Sequence, residues 1–271
     1  MTAPISRWPW TTVAAPVIGM LHLPPLPGSP RSQLSHGELR RFVLADAQAL
    51  AAGGVHALML ENFGDTPFYP GRVPAETVAT MTWLAAEVRR EVPLPLGINV
   101  LRNDGQSALA IAQAVGAAFI RVNVLCGARV TDQGVLTGIA HDLLRDRCRL
   151  GADVQILADV NVKHSAPLAA RPLEVETKEL FERAGAGGVI VTGLGTGQAT
   201  SPADVQHVAA AAGRIPVLVG SGVDAATIDS YFPHASGFIV GSSLKQDGQI
   251  DRPVDSQRVV ELMSTWKAAM G

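Results

Sequence analysis

Three polar side chains spaced two residues apart near the end of an apolar run carry the clearest chemical signal in this chain. In the segment 156–164, Asp159, Asn161 and Lys163 alternate with Ala158, Val160 and Val162. Alternate side chains of a β-strand share a face, so the triplet would line one surface while the aliphatic set packs on the other. Burying charge is costly, so such a face calls for a ligand or for a structural ion pair between Asp159 and Lys163. Other apolar runs end in a similar way. Arg121 and Asn123 alternate with Ile120, Val122 and Val124, and Arg121 can either serve a site or neutralise Asp159. Asn99 and Thr192 supply neutral hydrogen-bonding groups at comparable positions. Glu61-Asn62 must turn one side chain into the same space, and His22 closes the first run, as a structural group or as a catalyst.

Three chemistries fit these residue types. Lys163 forms a Schiff base if neighbours such as Arg121 depress its pKa, which would make a lyase. Alternatively, Glu61 and Asp159 work as an acid–base pair for isomerisation or elimination on a sugar phosphate. In the third, Glu61, Asp159, His22 and His164 hold a divalent metal, the least supported case because neither H-x-H nor H-E-x-x-H spacing occurs. No resident cofactor is expected. Glu61, Asp159 and Lys163 are therefore the catalytic candidates. His22, Asn62, Asn99, Arg121, Asn123, Asn161, His164 and Thr192 are the candidates for orienting substrate. A serine nucleophile is not expected, since no G-x-S-x-G stretch is present.

Glycine-rich turns supply the complementary signal. The runs 217–219 and 237–240 lead into Gly220-Ser221-Gly222 and Gly241-Ser242. Glycine lets backbone amides approach an anion closely, and amides at a helix start point toward phosphate oxygens. A third loop, carrying Gly193, Gly195 and Thr196, contains G-x-G without the spacing or acidic residue of a dinucleotide fingerprint. Together these turns predict a phosphorylated small-molecule ligand.

The elements that must position these groups follow from periodicity. Strands are expected at 17–22, 57–61, 96–100, 119–124, 154–160, 188–192, 217–220 and 237–240. Helices are expected at 38–52, 75–91, 107–115, 142–150, 173–184, 202–212, 225–231 and 255–270. Eight strand–helix units in 271 residues give an α/β fold, a single (β/α)8 TIM barrel over residues 1–271. An open doubly wound sheet is the alternative, because periodicity alone does not establish closure. Long loops at 23–37, 62–73 and 125–140 follow the first, second and fourth strands and would crowd the same mouth as the glycine turns.

Composition narrows the class. With 47% hydrophobic and 17% charged residues the chain can build a large core. A net charge of −2 and the lack of a basic run with interleaved aromatics argue against nucleic-acid binding. Cys126 and Cys148 have no metal spacing and suit free thiols in a reducing cytoplasm. The longest apolar stretch, from Ala108 to Ile120, is broken by Gln113 and Gly116 and is too short to span a bilayer. A cytoplasmic protein without integral membrane association is expected, and so is a homo-oligomer.

Several of these motifs resemble one family. Ile18-Gly19-Met20-Leu21-His22-Leu23-Pro24-Pro25-Leu26-Pro27-Gly28-Ser29-Pro30 and Glu61-Asn62-Phe63-Gly64-Asp65-Thr66-Pro67-Phe68 are similar to signatures of the BtpA/SgcQ family. The similarity continues through 97–104, 119–124, 158–164, the glycine loop after Val191, and Val219-Gly220-Ser221-Gly222-Val223, in the same order over nearly the whole chain. The resemblance implies a TIM barrel whose reaction is not defined. One cyanobacterial relative is associated with photosystem I biogenesis, and another lies among genes for sugar uptake and metabolism. Two readings follow: a phosphosugar lyase or isomerase, or a non-catalytic assembly factor that uses the barrel as a scaffold.

Overall fold

The computed structural model describes residues 8–193 and 199–271. Its strands are β1 (Val17–His22), β2 (Ala57–Glu61), β3 (Leu96–Asn99), β4 (Phe119–Val122), β5 (Ala128–Thr131), β6 (Gly134–Thr137), β7 (Gln155–Val160), β8 (Ala166–Pro167), β9 (Gly188–Val191), β10 (Val217–Val219) and β11 (Gly237–Val240). Eight of them, in the order β1-β11-β10-β9-β7-β4-β3-β2, form a closed barrel of parallel pairs. Ile18 of β1 lies opposite Ala57 on one side and Ile239 on the other, so the first strand is paired on both edges and the sheet is not open. Around it run α1 (His36–Gly53), α2 (Ala75–Glu91), α3 (Gly105–Val115), α4 (Ala140–Arg149), α5 (Leu173–Glu182), α6 (Pro202–Ala212) and α7 (Ser256–Met270).

Local chemistry sets the helix ends. Ser35 and Glu38 form a reciprocal capping box at the start of α1, and Gly54 ends that helix in the left-handed region. Asp104, Ser201 and Asp255 accept backbone N–H bonds at the starts of α3, α6 and α7. The helix expected at 225–231 is instead a short 3₁₀ turn, Ile228–Tyr231. The Asp224 carboxylate gathers the N–H groups of Ala226 and Thr227 and the Thr227 hydroxyl into one compact turn. Pro233, which has no N–H, leaves too few residues for an α-helix to propagate. The expected loop at 125–140 also contains structure. β5 and β6 form a hairpin, and β8 from the next loop pairs with β5 into a small antiparallel sheet over the barrel mouth.

Two apolar layers support the mouth. Inside the barrel, Ile18, Met59, Phe119, Leu157 and Ile190 pack with Trp8, which closes the floor and donates its indole N–H to Ser236 O at 2.8 Å. Phe119 fills so much of the interior that a Cβ on Gly97 would lie 2.0 Å from its ring, which explains a glycine in the middle of β3. Outside, the strands pack against the helices through residues such as Leu39, Leu84, Ile111 and Val205. Lys245 and Asp46 form a fully buried pair at 2.5 Å, and the other Asp46 oxygen accepts from Val254 N, fixing the segment after β11 against α1. Among the described residues no helix is long and apolar enough to cross a membrane.

His56 links the floor to pH. Its Nδ1 accepts from Val17 N at 3.0 Å, and burial, then the Lys267 charge, lower its pKa to about 4. The folded state therefore favours the neutral ring. This contribution is fully present above the ordinary histidine value near 6.5 and is lost as pH falls toward 4. The urea midpoint of the protein should fall more steeply across that window than the midpoint of His56→Gln. Parallel curves would count against the assignment.

Candidate active site

The phosphate-type turns meet at the C-terminal mouth, where the strand ends and following loops enclose a cavity of about 490 Å³. Gly220, Ser221 and Gly222 after β10 and Gly241 and Ser242 after β11 all line it. The two turns are tied together, since the Ser243 hydroxyl donates to Val223 O at 2.7 Å. Thr200 braces the first turn by donating to Ser221 O at 3.0 Å, and Tyr231 OH donates to Thr200 O. Gly222 has φ +65°, which favours glycine. A Cβ on Gly241 would lie 2.6 Å from His22 Cε1, so that glycine lets the His22 ring seat against the turn. The Ser221 hydroxyl is buried with no partner among the described residues, as suits a group that meets a ligand oxygen. Gly193 is described but is not on this cavity wall. Gly195 and Thr196 lie outside the described residues.

β1 and β2 bring His22 and Glu61 side by side, with His22 Nε2 3.8 Å from Glu61 Oε1. Burial lowers the His22 pKa well below its usual value, and Lys245, Lys163 and Arg121 lower it further, so the ring is neutral near pH 7. Burial raises the Glu61 pKa against the opposing charges of Arg121 and Lys163. For Lys163 burial acts the other way, lowering its pKa, with Arg121 adding to the effect and Glu61 and Asp159 opposing it. A carboxyl pushed up and an amine pushed down therefore face one cavity, an arrangement suited to proton exchange between them and a bound ligand. No hydrogen bond joins the Lys163 amine to another described residue.

Asp159 has a different setting. Its two oxygens accept from Arg121 Nε and Nη2, both at 2.9 Å, and Asn123 Nδ2 donates to Oδ2 at 2.8 Å. Of the two ion pairs open to Asp159, with Lys163 or with Arg121, the one formed is the bidentate pair with Arg121, inside the barrel. Asn161 also departs from the expected strand face. β7 ends at Val160, Asn161 has φ +52°, and its Oδ1 accepts from Arg129 Nη2 at 2.6 Å, away from Lys163. The alternation rule requires continuous strand and fails at that residue. Asn62 turns away from the mouth, accepting from Leu101 N and donating to Asp65, which leaves Glu61 as the inward member of the pair. Asn99 donates to Arg121 O, and Thr192 donates to Asn161 O at 3.5 Å. Neither lines the mouth cavity.

A second cavity, of about 440 Å³, adjoins the first and shares Glu61, Arg121 and Lys163 with it. It contains His164 and Asn123 together with Phe63, Phe68, Leu101 and Arg102, which strand alternation did not select. Burial, then Lys163, lowers the His164 pKa. Arg258 and Glu261 from α7 complete the first cavity. These residues sit in loops or on a helix, where a period of two carries no information; only the inclusion of 97–104 among the family motifs drew attention to the Arg102 segment. Among the described residues, no three His, Cys, Asp or Glu side chains converge as a metal-binding group.

Comparison with known proteins identifies the lineage. The fold is similar to that of a mutant tryptophan synthase α-subunit from Pyrococcus furiosus, with a TM-score of 0.61 at 19% identity, covering 93% of this chain and 98% of that one. It is also similar to N-(5′-phosphoribosyl)anthranilate isomerase from Pyrococcus furiosus, with a TM-score of 0.56 at 14% identity, covering 94% and 99% of the two chains. At the sequence level the chain is 46% identical over 244 residues to the photosystem I biogenesis protein BtpA of Synechocystis, covering 90% of this chain and 85% of the relative. The BtpA family model matches residues 13–268, and the chain belongs to the BtpA family.

Proposed function

We propose that the protein is an enzyme of the lyase or isomerase type, acting on a phosphorylated sugar or nucleotide-derived small molecule bound at the barrel mouth. One observation carries the reading: the glycine-serine turns open into the same cavity as Glu61 and Lys163, the two groups whose proton affinities are displaced toward each other. A phosphate on the turns would fix the substrate so that its reacting carbon lies over these side chains. Lys163 would act as an amine nucleophile or base and Glu61 would carry the proton. Asp159 keeps Arg121 charged and oriented as part of the wall. Two similar barrels are named for tryptophan synthase and phosphoribosylanthranilate isomerase, which agrees with this class of ligand without specifying it.

The test is a thermal-shift screen with phosphorylated sugars and nucleotides. A ligand at a hundred times its Kd adds about 2.7 kcal/mol, roughly 5–10 °C for a chain of this size. Borohydride added with a stabilising aldehyde or ketone then separates the two reaction types. In the lyase version the Lys163 amine adds to the carbonyl carbon, water leaves, and reduction fixes the adduct; in the isomerase version nothing is trapped. If no phosphorylated compound stabilises the protein, the proposal falls. A second reading, the assembly factor, draws on the 46% identity to the photosystem I biogenesis protein. It requires Lys163→Ala to retain full biological activity.

A further inference from the structure

Arg102 is a buried cation with part of its guanidinium unused. It is 4% exposed, and its Nε has no partner among the described residues. Its position is fixed from two sides: its backbone N–H donates to Tyr69 O at 3.1 Å, and its Nη2 donates to Lys163 O at 2.6 Å. Leaving a charged donor unpaired away from water is expensive, and a planar carboxylate is the group that satisfies a guanidinium edge best. Arg121, the other guanidinium of this cavity, is already neutralised by Asp159. Asp132 is a further carboxylate on the cavity wall, and its Oδ2 accepts from Gln133.

One side of the wall is apolar and aromatic, beside the polar Thr66, Asn123 and His164. Phe63 and Phe68 are half-buried with ring centroids 6.4 Å apart in an edge arrangement, and buried Leu101 adjoins them. That aromatic side favours packing of a flat, unsaturated group over a fully hydroxylated sugar. Because this cavity and the phosphate-type cavity share Glu61, Arg121 and Lys163, one ligand can occupy both and present its middle to those residues. We infer that the second cavity is a subsite for a planar group bearing a carboxylate, held by Arg102 beside the Phe63 and Phe68 rings, so that the substrate is anionic at both ends. The inference rests on the reading of the first cavity as a phosphate site.

Nicotinate mononucleotide and nicotinamide mononucleotide are a suitable probe pair, since each joins a planar ring to a phosphate and they differ only in carboxylate against carboxamide. Calorimetric titration of the wild-type protein should give at least about 10-fold tighter binding of the carboxylate member, the range of one charge-assisted hydrogen bond. Arg102→Gln should bring the ratio close to one while inorganic phosphate binds as it does to wild type. A wild-type ratio near one, with inorganic phosphate still binding, overturns this inference alone and requires no variant to fold. A ratio that survives Arg102→Gln also overturns it. If neither inorganic phosphate nor either nucleotide binds the wild type, this inference and the phosphate reading fall together.

Discussion

Asp159→Ala should cost about 3–5 kcal/mol of folding stability, lowering Tm by roughly 6–20 °C, because it strands a charged guanidinium inside the barrel. The Arg121 side chain is 3% exposed and that of Asp159 is buried, so water compensates poorly for the lost carboxylate. Two charge-assisted bonds and the Asn123 contact disappear at once. Urea denaturation at pH 7 measures the loss. The combined Arg121→Met, Asp159→Leu variant should recover most of it, since a buried ion pair and an apolar pair of similar volume are often close in stability. A single variant within about 1 kcal/mol of wild type would mean that the pair is solvated, contrary to its burial.

Glu61→Gln should reduce turnover of the cognate substrate by about 100- to 10,000-fold, the usual contribution of a positioned proton-transfer group. Ligand affinity should change little, because the substitution keeps the size and polarity of the side chain and leaves the turns themselves intact. As a base Glu61 must be ionised, so the wild-type rate should climb with pH through its raised pKa, and the substitution should remove that limb. Stability should move in the opposite direction to activity. A carboxyl whose pKa is raised on folding contributes most at pH below its unfolded value and loses that contribution as pH rises through the folded value. The amide should therefore leave the protein at least as stable as wild type at neutral pH. A variant that lost activity only in proportion to lost stability would deny Glu61 a chemical role.

The barrel was legible because its signals are local and repeated. Apolar runs of strand length and stretches of helical period mark boundaries that the structure reproduces closely. The β5–β6 hairpin escaped notice because its turn, Asp132-Gln133, lacks the Asn-Gly or Asp-Gly pair that marks such connections, and its strands are short. Asn161 was misplaced by extending a strand rule one residue too far, into a left-handed turn. Arg102 could not be selected by periodicity, since its position depends on loops after three different strands. The glycine turns were legible as a type, whereas their junction through Ser243 and Val223 joins residues 20 apart and leaves no local pattern.

Closure of the barrel through β1 and β11 has a consequence for synthesis. Val17 pairs with Phe238, Trp8 bonds to Ser236, and the Trp266 indole donates to Ala15 O, so the first strand finds its second neighbour only after most of the chain exists. Throughout translation β1 presents an unpaired apolar edge, able to template pairing with another nascent chain. The final segment, from β11 through α7, thus completes the phosphate-type cradle and also removes the edge most prone to aggregation. A release of the chain before that segment emerges would yield a sticky fragment rather than a smaller barrel.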